Sequence, residues 1–148
     1  MRSVVVVDIN APQEEVASLF ADPNNNAKWM EDVDRIEPLS GEQGMTGSTY
    51  RLIPKHGSML FTATVVSRNL PNELWLSLDA STVTVHVHGT LSILSDGRTR
   101  LVSEEVFKFR GILNTAFGLL ARRAIRKAHH RHIEAFKQFV ERQKRGRL

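Results

Sequence analysis

The sequence predicts an α+β fold in which one antiparallel sheet packs against a long C-terminal helix. The hydrophobic pattern has a period of two over most of residues 35–109 and a helical period from residue 112 onward. The candidate strands are joined by short turns without a helix, and strands joined in this way are antiparallel neighbours. A length of 148 residues suits one domain with one hydrophobic core, so we expect residues 1–148 to form a single domain.

The N-terminal part is predicted to form a strand followed by two short helices. Val4–Ile9 is rich in β-branched residues, which favours a strand. Pro12 suits the first position of a helix, and the two glutamates after Gln13 lie where the helix dipole favours negative charge. The apolar residues of this helix recur at helical spacing: Val16, Leu19 and Phe20. Asp22-Pro23 predicts a second short helix that ends near Trp29.

Six further strands and one long helix follow. The predicted strands are Arg35–Leu39, Ser48–Ile53, Met59–Arg68, Glu73–Asp79, Thr82–Leu94 and Thr99–Phe109. The segments between them contain glycine, proline, asparagine and aspartate, which is typical of turns. The last helix is predicted from Ile112 to about Gln143. The predicted order is therefore one strand, two short helices, six strands and a long helix.

Alternation along the last strand predicts which side chains face the helix. Leu101, Ser103, Glu105, Phe107 and Phe109 share one face of Thr99–Phe109, and the opposite face carries charged residues at its two ends. The apolar face should be the inner one. We therefore expect a serine and a glutamate to lie among aromatic and aliphatic neighbours.

A helical projection of the last helix predicts an inner stripe. Its members are Leu113, Phe117, Leu120, Ala121, Ala124, Ala128, His132, Phe136 and Phe139. The middle of the stripe is small, with Gly118 beside the alanines, so the helix either approaches the sheet closely or leaves a void. Of the histidines in the run His129–His132, His132 is predicted to point inward, as a core residue or as a functional one.

Glu105 is the most informative polar residue of the sequence. It lies four residues, about 13 Å, before the end of its strand. If the helix doubles back along the sheet at about 1.5 Å per residue, Glu105 should lie near Ala121. One interpretation is an ion pair with a basic residue such as Arg51. The other is a ligand-binding or acid/base role, because burial of the carboxyl would raise its pKa.

Two other patterns in the sequence have spacings that chemical sites use. His86 and His88 lie on one side of a strand, as two metal ligands could, but no third ligand is evident and we predict no metal site. Gly41-x2-Gly44-x2-Gly47 precedes a strand rather than a helix, so it is interpreted as a turn and not as a phosphate loop. No cofactor is predicted.

Composition and charge restrict the classes of partner. There is no cysteine, which excludes disulfides and thiolate catalysis, and no apolar run approaches the length of a membrane span, so we expect a cytoplasmic protein. Residues 1–121 carry a net charge of −4 and residues 122–148 a net charge of +8. Aromatic residues do not alternate with the basic ones, which disfavours nucleic acid. Weak contact with an anionic membrane surface fits better. The oligomeric state is left open.

The N-terminal motif and the order of elements resemble a known family. Ala11-Pro12-x3-Val16-x2-Leu19-Phe20-x-Asp22, followed by Trp29, resembles the opening of polyketide cyclase/dehydrase-like proteins of the START/Bet v 1-like (SRPBCC) helix-grip superfamily. The resemblance covers essentially the whole chain. It implies a seven-stranded antiparallel sheet that grips the last helix around an apolar cavity. It also implies that Lys55–Ser58 and Ala80–Thr82, with Leu113 and Phe117, border the mouth.

Members of this superfamily bind lipids, sterols, polyketides or plant hormones, and some catalyse cyclisation. We therefore expect an apolar ligand between the sheet and the last helix, oriented by Glu105 and by Tyr50 or His132. The expected ligand-binding residues are Trp29, Tyr50, Leu52, Phe61, Leu76, Leu78, Val85, Val87, Ser103, Glu105, Phe107, Phe109, Leu113, Phe117, Leu120, Ala121, Ala124 and His132. One alternative is a cyclase or dehydratase with Glu105 as acid/base. Another is an accessory protein that docks a partner or membrane through its basic helix.

Overall fold

A computed structural model describes residues 1–57 and 59–146 of the chain. The helices are α1 (Gln13–Ala21), α2 (Asn26–Trp29) and α3 (Ile112–Gly146), and a 3-10 turn spans Pro23–Asn25. The strands are β1 (Arg2–Ile9), β2 (Val33–Ser40), β3 (Thr49–Pro54), β4 (Phe61–Asn69), β5 (Glu73–Asp79), β6 (Val83–Ile93) and β7 (Thr99–Phe109). All seven predicted strands are present with ends within two residues of the prediction, and α3 ends three residues later than predicted.

The strands form one antiparallel sheet in the order β1-β7-β6-β5-β4-β3-β2. Six of the strands follow one another as neighbours, and β1 closes the order by pairing with β7, with Val5 opposite Ser103. The predicted α+β class and the helix-grip arrangement implied by the resemblance are therefore confirmed. No helix among the described residues is both long enough and apolar enough to cross a bilayer.

The second half of α3 carries the packed part of the helix–sheet interface. Ile133, Phe136, Phe139 and Val140 are buried against β1 and the short helices. Phe136 makes edge contacts with Phe20 and Trp29, with ring centroids 5.1 and 5.2 Å apart. Burial of such side chains stabilises the fold by about 1.5–3 kcal/mol each. This half of α3 is the part that the sequence pattern located correctly.

The first half of α3 differs from the predicted stripe. Leu113 is 85% exposed, Leu120 is 87% exposed and Phe117 is 68% exposed, although all three were expected to face inward. The buried residue in these turns is Gly118. Apolar residues surround the helix here on several sides, so their spacing does not define a single face. The inward face was therefore assigned wrongly in this half.

Gly118 sets the distance between α3 and the sheet. A Cβ atom at this position would collide with the ring of Phe109, the last residue of β7. The helix thus approaches the sheet closely at Gly118 and not at the alanines, of which Ala121 is half-buried and Ala124 is exposed. The six residues of α3 before Gly118 are mostly exposed and are not covered by the sheet.

The glycines of the β2–β3 connection build a turn, as the sequence predicts. Gly41, Gly44 and Gly47 have φ angles of 77°, 83° and 88°, in the left-handed region that side chains with a Cβ rarely adopt. The segment leads into β3 and not into a helix. The structure therefore gives these glycines a conformational role in the loop.

Candidate functional site

A cavity lies between the inner face of the sheet and α3. Its larger lobe has a volume of about 220 Å³. The lining is mostly aliphatic and aromatic, with Glu105, Asp32 and two histidines as the groups that can carry charge. The lining residues are Met30, Asp32, Val33, Leu52, Pro54, Met59, Phe61, Leu78, Val85, Glu105, Phe107, Ile125, Ala128, His129 and His132.

A smaller lobe of about 60 Å³ adjoins the larger one. It extends toward α1, α2 and the core. Its lining residues are Phe20, Ala21, Asn26, Trp29, Met30, Tyr50, Leu52, Leu74, Leu76, Leu78, Val87, Ser103, Glu105, His132 and Ile133. Glu105 and His132 belong to both lobes, so these two polar side chains lie where the lobes meet.

Glu105 presents a carboxyl group to both lobes. Its position on β7, two residues from Ser103 and Phe107, places it on the inner face among apolar side chains. The side chain is 20% exposed. Burial raises the pKa of the Glu105 carboxyl from 4.5 to about 7, because a carboxylate loses hydration there without gaining a full counter-charge. The cavity therefore contains a carboxyl that can be protonated near neutral pH.

His129 is the buried histidine of α3, at 2% exposure. Its Nδ1 lies 2.8 Å from Ser3 Oγ and its Nε2 lies 2.9 Å from Ser103 Oγ. Burial lowers the pKa of the His129 imidazole from 6.5 to about 4, so the ring is neutral at neutral pH. A neutral imidazole donates through one nitrogen and accepts through the other, and hydroxyl groups serve both needs. The serines thus hold the ring in place.

A second polar contact lies in the lining of the larger lobe. His132 Nε2 lies 3.4 Å from Asp32 Oδ1, which joins α3 to the chain between α2 and β2. Thr82 Oγ1 lies 3.5 Å from Met59 Sδ, so the β5–β6 loop meets the segment before β4 at this end. Of the loops that the resemblance implies at the mouth, Lys55–Ser58 includes Ser58, which lies outside the described residues.

Tyr50 and Trp29 supply the polar atoms of the smaller lobe that lie toward the core. Asn26 Nδ2 donates to Tyr50 Oη at 3.4 Å, and burial raises the pKa of the Tyr50 phenol. The Trp29 indole nitrogen is buried and has no hydrogen-bond partner among residues 1–57 and 59–146. The lobe is therefore apolar in its body, with few polar atoms at its edges.

Most of the residues expected from the sequence lie together around this cavity. Those that line one or both lobes are Trp29, Tyr50, Leu52, Phe61, Leu76, Leu78, Val85, Val87, Ser103, Glu105, Phe107 and His132. Ten of them lie on strands, where alternation identifies the buried face, whereas Trp29 lies on α2 and His132 on α3. Their contact with a ligand remains a prediction.

Six of the expected residues lie elsewhere. They are Phe109, Leu113, Phe117, Leu120, Ala121 and Ala124, none of which lines either lobe. Phe109 packs against Gly118, and the others belong to the mostly exposed first half of α3. The predicted neighbour of Glu105 was also wrong. Its Oε1 lies 3.7 Å from His129 Nδ1, two turns beyond Ala121.

Sequence reasoning missed His129 and Ile125, because the hydrophobic pattern did not show which residue of α3 contacts the sheet. With Gly118 opposite Phe109, His129 lies eleven residues along the helix, about 16 Å, and Glu105 lies about 13 Å back along the strand. The two therefore meet. The expectation that His132 alone points inward is corrected, because His129 is the more deeply buried of the two. The buried glycine was the signal that could have set this phase.

The histidines of β6 lie on the outer face of the sheet. The His88 ring stacks on Trp75 with centroids 3.6 Å apart, and its Nε2 lies 2.8 Å from Glu73 Oε2. Among residues 1–57 and 59–146, no group of three potential metal ligands is close enough to hold an ion. The contacts of His88 are those of a packed surface side chain.

Comparisons with known proteins find a matching family and similar solved structures. A sequence profile of the family described as polyketide cyclase / dehydrase and lipid transport matches residues 1–141. The structure is similar to the Zhui aromatase/cyclase from Streptomyces, with a TM-score of 0.76 and 17% identity over 97% of this chain and 94% of that chain. A START superfamily protein from Mycobacterium smegmatis gives a TM-score of 0.76 and 15% identity over 96% and 98% of the two chains.

A protein from Mesorhizobium loti is also similar, with a TM-score of 0.74 and 17% identity over 96% of this chain and 98% of that chain. A comparison with curated proteins finds no match. At these identities the structural likeness establishes the fold, and the family profile covers almost all of the chain. The chain belongs to the polyketide cyclase/dehydrase and lipid transport family.

Proposed function

We propose that this protein binds a hydrophobic small molecule in the cavity between the sheet and α3. The observation that carries the proposal is the cavity itself, an apolar space with Glu105 at the junction of its two lobes. An apolar lining with a few convergent polar groups is the usual form of a small-molecule site. The description of the family, which includes lipid transport and polyketide cyclisation, supports the same class of ligand.

The polar groups suggest how a ligand would be oriented. Glu105 reaches both lobes, His132 lies beside it, and Tyr50 closes the smaller lobe. The apolar body of the ligand would fill the larger lobe, between Phe61 and Ile125, and its polar end would meet the Glu105 carboxyl. His129 is held by two serines and supports the wall without being needed for contact.

The test introduces a large side chain into the cavity and compares this variant with one that carries the same substitution outside the cavity. Ala128 lines the larger lobe and Ala124, one turn earlier on α3, is exposed. We expect Ala128→Phe to weaken binding of the neutral dye N-phenyl-1-naphthylamine about tenfold or more, because the new ring occupies the lobe. Ala124→Phe should bind as the wild type does. Equal dye affinity in the wild type and in folded Ala128→Phe would refute the proposal.

Native mass spectrometry of gently purified protein provides an independent test. A co-purified ligand would appear as added mass that is lost after extraction with organic solvent. The Ala128→Phe variant should carry less of it than Ala124→Phe. This measurement also reports whether the chain is a monomer or an oligomer.

An acid/base reaction on such a ligand is the second candidate function. The specific observation is that Glu105 faces the cavity with a pKa of about 7, so that both protonation states are populated near neutral pH. Cyclisation of a polyketide-like chain needs such proton transfers. We expect Glu105→Gln to abolish turnover of a poly-β-ketone analogue, measured by product formation, while dye binding persists. Turnover retained by this variant would remove Glu105 from the catalytic role.

We further propose that the exposed first half of α3 contacts an anionic membrane surface. Leu113, Phe117 and Leu120 form an apolar surface that water would otherwise cover, which is unusual for a helix in a folded domain. Met59 and Leu60 are also exposed, and Met59 lines the larger lobe. Thr82 connects the two: its carbonyl accepts a hydrogen bond at 2.9 Å from the backbone N–H of Arg110, just before α3, and its Oγ1 lies 3.5 Å from Met59 Sδ. The start of α3 therefore lies near this part of the cavity, where a ligand taken from a membrane would enter.

The charge near this surface argues for an anionic bilayer. Between Val106 and Ile133 the chain has seven lysines and arginines and no aspartate or glutamate. Arg110 lies 3.6 Å from Asp79 and Arg131 lies 3.0 Å from Glu31, whereas Arg122 and Arg123 form no salt bridge with any residue that the structure describes. An apolar helical surface flanked by cations is typical of contact with anionic lipid.

Liposome sedimentation at low salt tests this contact. We expect vesicles that contain phosphatidylserine to retain the wild type, and vesicles of phosphatidylcholine alone to retain it weakly. Arg122, Arg123 and Arg126 changed together to glutamate should abolish retention. The same change of Arg142, Lys144 and Arg145 at the other end of α3 provides a control of equal charge and should reduce retention less. Equal losses, or dimerisation through the apolar surface without vesicle binding, would contradict the proposal.

A further inference from the structure

The part of the cavity lining that the structure describes contains acidic groups and no lysine or arginine. Glu105 and Asp32 line it, and among the described lining residues neither lobe includes a lysine or an arginine. Four basic residues in the middle of α3 are exposed to solvent: Arg122, Arg123, Arg126 and Lys127. Among the described lining residues, the histidines His129 and His132 are therefore the groups that could give a ligand in the cavity a positive charge.

His129 does not act as a counter-ion for a buried anion. Both of its ring nitrogens already contact serine hydroxyls, at 2.8 Å to Ser3 and 2.9 Å to Ser103. The ring is almost completely buried, so protonation there would place an unhydrated charge in the core. Its distance of 3.7 Å from Glu105 is longer than a hydrogen bond.

His132 is already engaged with a carboxylate. Its Nε2 lies 3.4 Å from Asp32 Oδ1, at the edge of the larger lobe. This contact places a carboxyl group beside the imidazole. An anionic ligand would have to compete with that carboxylate for it, while approaching Glu105 as well. Neither histidine therefore supplies a site for a carboxylate or phosphate.

We infer that the cavity selects ligands whose buried end is an uncharged hydroxyl, phenol or ketone, and that it excludes the carboxylates of equal chain length. The inference deepens the proposed function and depends on it. A hydroxyl or ketone can exchange hydrogen bonds with the Glu105 carboxyl and with Tyr50. A carboxylate would lose its hydration without an opposite charge to replace it.

Displacement of N-phenyl-1-naphthylamine by three probes tests the inference on the wild-type protein. The probes are 1-decanol, decanoate and decylamine, which share one chain and differ at one end. Near neutral pH we expect the alcohol to bind about tenfold or more tightly than decanoate. Decanoate binding as tightly as the alcohol would overturn the inference. Decylamine binding more tightly than the alcohol would show a cation site and would overturn it too.

A gain of affinity provides the converse test. Ala128→Lys places an ammonium group on the helix face that lines the larger lobe, and Ala124→Lys adds the same charge on the exposed face. We expect only Ala128→Lys to bind decanoate more tightly, about tenfold. Equal behaviour of the two folded variants would contradict the inference.

The failures are distinguishable. If the dye and all three probes fail to bind, the proposed function fails and the inference falls with it. If the dye and the alcohol bind but decanoate binds equally well, the ligand site stands and only its preference for an uncharged end is wrong.

Discussion

The carboxyl of Glu105 and the imidazole of His129 lie 3.7 Å apart at their closest oxygen and nitrogen, and both are neutral over a common range of pH. Burial raises the pKa of Glu105 to about 7 and lowers the pKa of His129 to about 4, so each group resists the charge that an ion pair would require. The serines on both sides of His129 satisfy its ring instead. The Glu105 carboxyl is left available to the cavity.

Glu105→Gln should change how stability depends on pH. Because the folded-state pKa of Glu105 lies above its unfolded value of 4.5, the folded protein holds more protons between pH 4.5 and about 7, and stability falls as pH rises through that range. Glutamine removes this loss. We expect the variant to gain stability relative to the wild type up to about pH 7, by about 3 kcal/mol at most, and then to stay level.

His129 makes stability depend on pH in the opposite direction, and it contributes to the pH dependence of the wild type. Its folded pKa of about 4 lies below 6.5, so stability rises with pH between these values. The two slopes partly cancel in the wild type, whereas Glu105→Gln should show the rise from His129. His132 and Asp32 also face Glu105 and are the same in both proteins. Urea unfolding at several pH values measures the difference, and a difference independent of pH would refute the assignment.

Ser103→Ala should destabilise the fold by about 1–3 kcal/mol, because it leaves one nitrogen of the buried His129 ring without its partner. Ser92→Ala on β6 provides the control, since Ser92 is exposed and its loss should change the free energy of unfolding by less than about 0.5 kcal/mol. Both values come from urea unfolding. A loss at Ser103 no larger than that of the control would show that the hydrogen bond is unimportant.

Gly118→Ala should destabilise the protein although alanine favours helices. The added Cβ atom collides with Phe109, and overpacking of this kind costs about 1–3 kcal/mol against about 1 kcal/mol of gained helix propensity. At Gly146 in the same helix a Cβ atom would meet no atom of the described residues within 4 Å, so Gly146→Ala should be neutral or stabilising. Thermal unfolding followed by circular dichroism compares the two. A stabilised Gly118→Ala variant would contradict the close approach.

The two halves of α3 should respond differently to loss of an aromatic ring. Phe136 is fully buried, so Phe136→Ala should cost about 3–5 kcal/mol. Phe117 is 68% exposed, so Phe117→Ala should change stability by less than about 0.5 kcal/mol while weakening retention on anionic vesicles. If both variants lost the same free energy of unfolding in urea, Phe117 would be as buried as Phe136, and the inner stripe that the sequence pattern predicted would be correct.

The sequence alone determined the elements and the inner face of the sheet. Strand alternation is a local property, since successive side chains point to opposite sides, and it placed Ser103 and Glu105 inside. Short polar turns required antiparallel neighbours. The predicted rise in the pKa of Glu105 followed from the same reasoning, because a carboxyl among apolar side chains loses hydration.

Only the tertiary structure decided the phase and position of α3 on the sheet. Apolar residues occur on several sides of its first turns, so periodicity could not choose between Phe117 and Gly118 as the inward residue. The contact of Gly118 with Phe109 made that choice, and it brought His129 rather than Ala121 to Glu105. The cavity follows from this packing, and so does the lack of a lysine or arginine among its described lining residues, because both depend on which helix face meets the sheet and not on any local pattern.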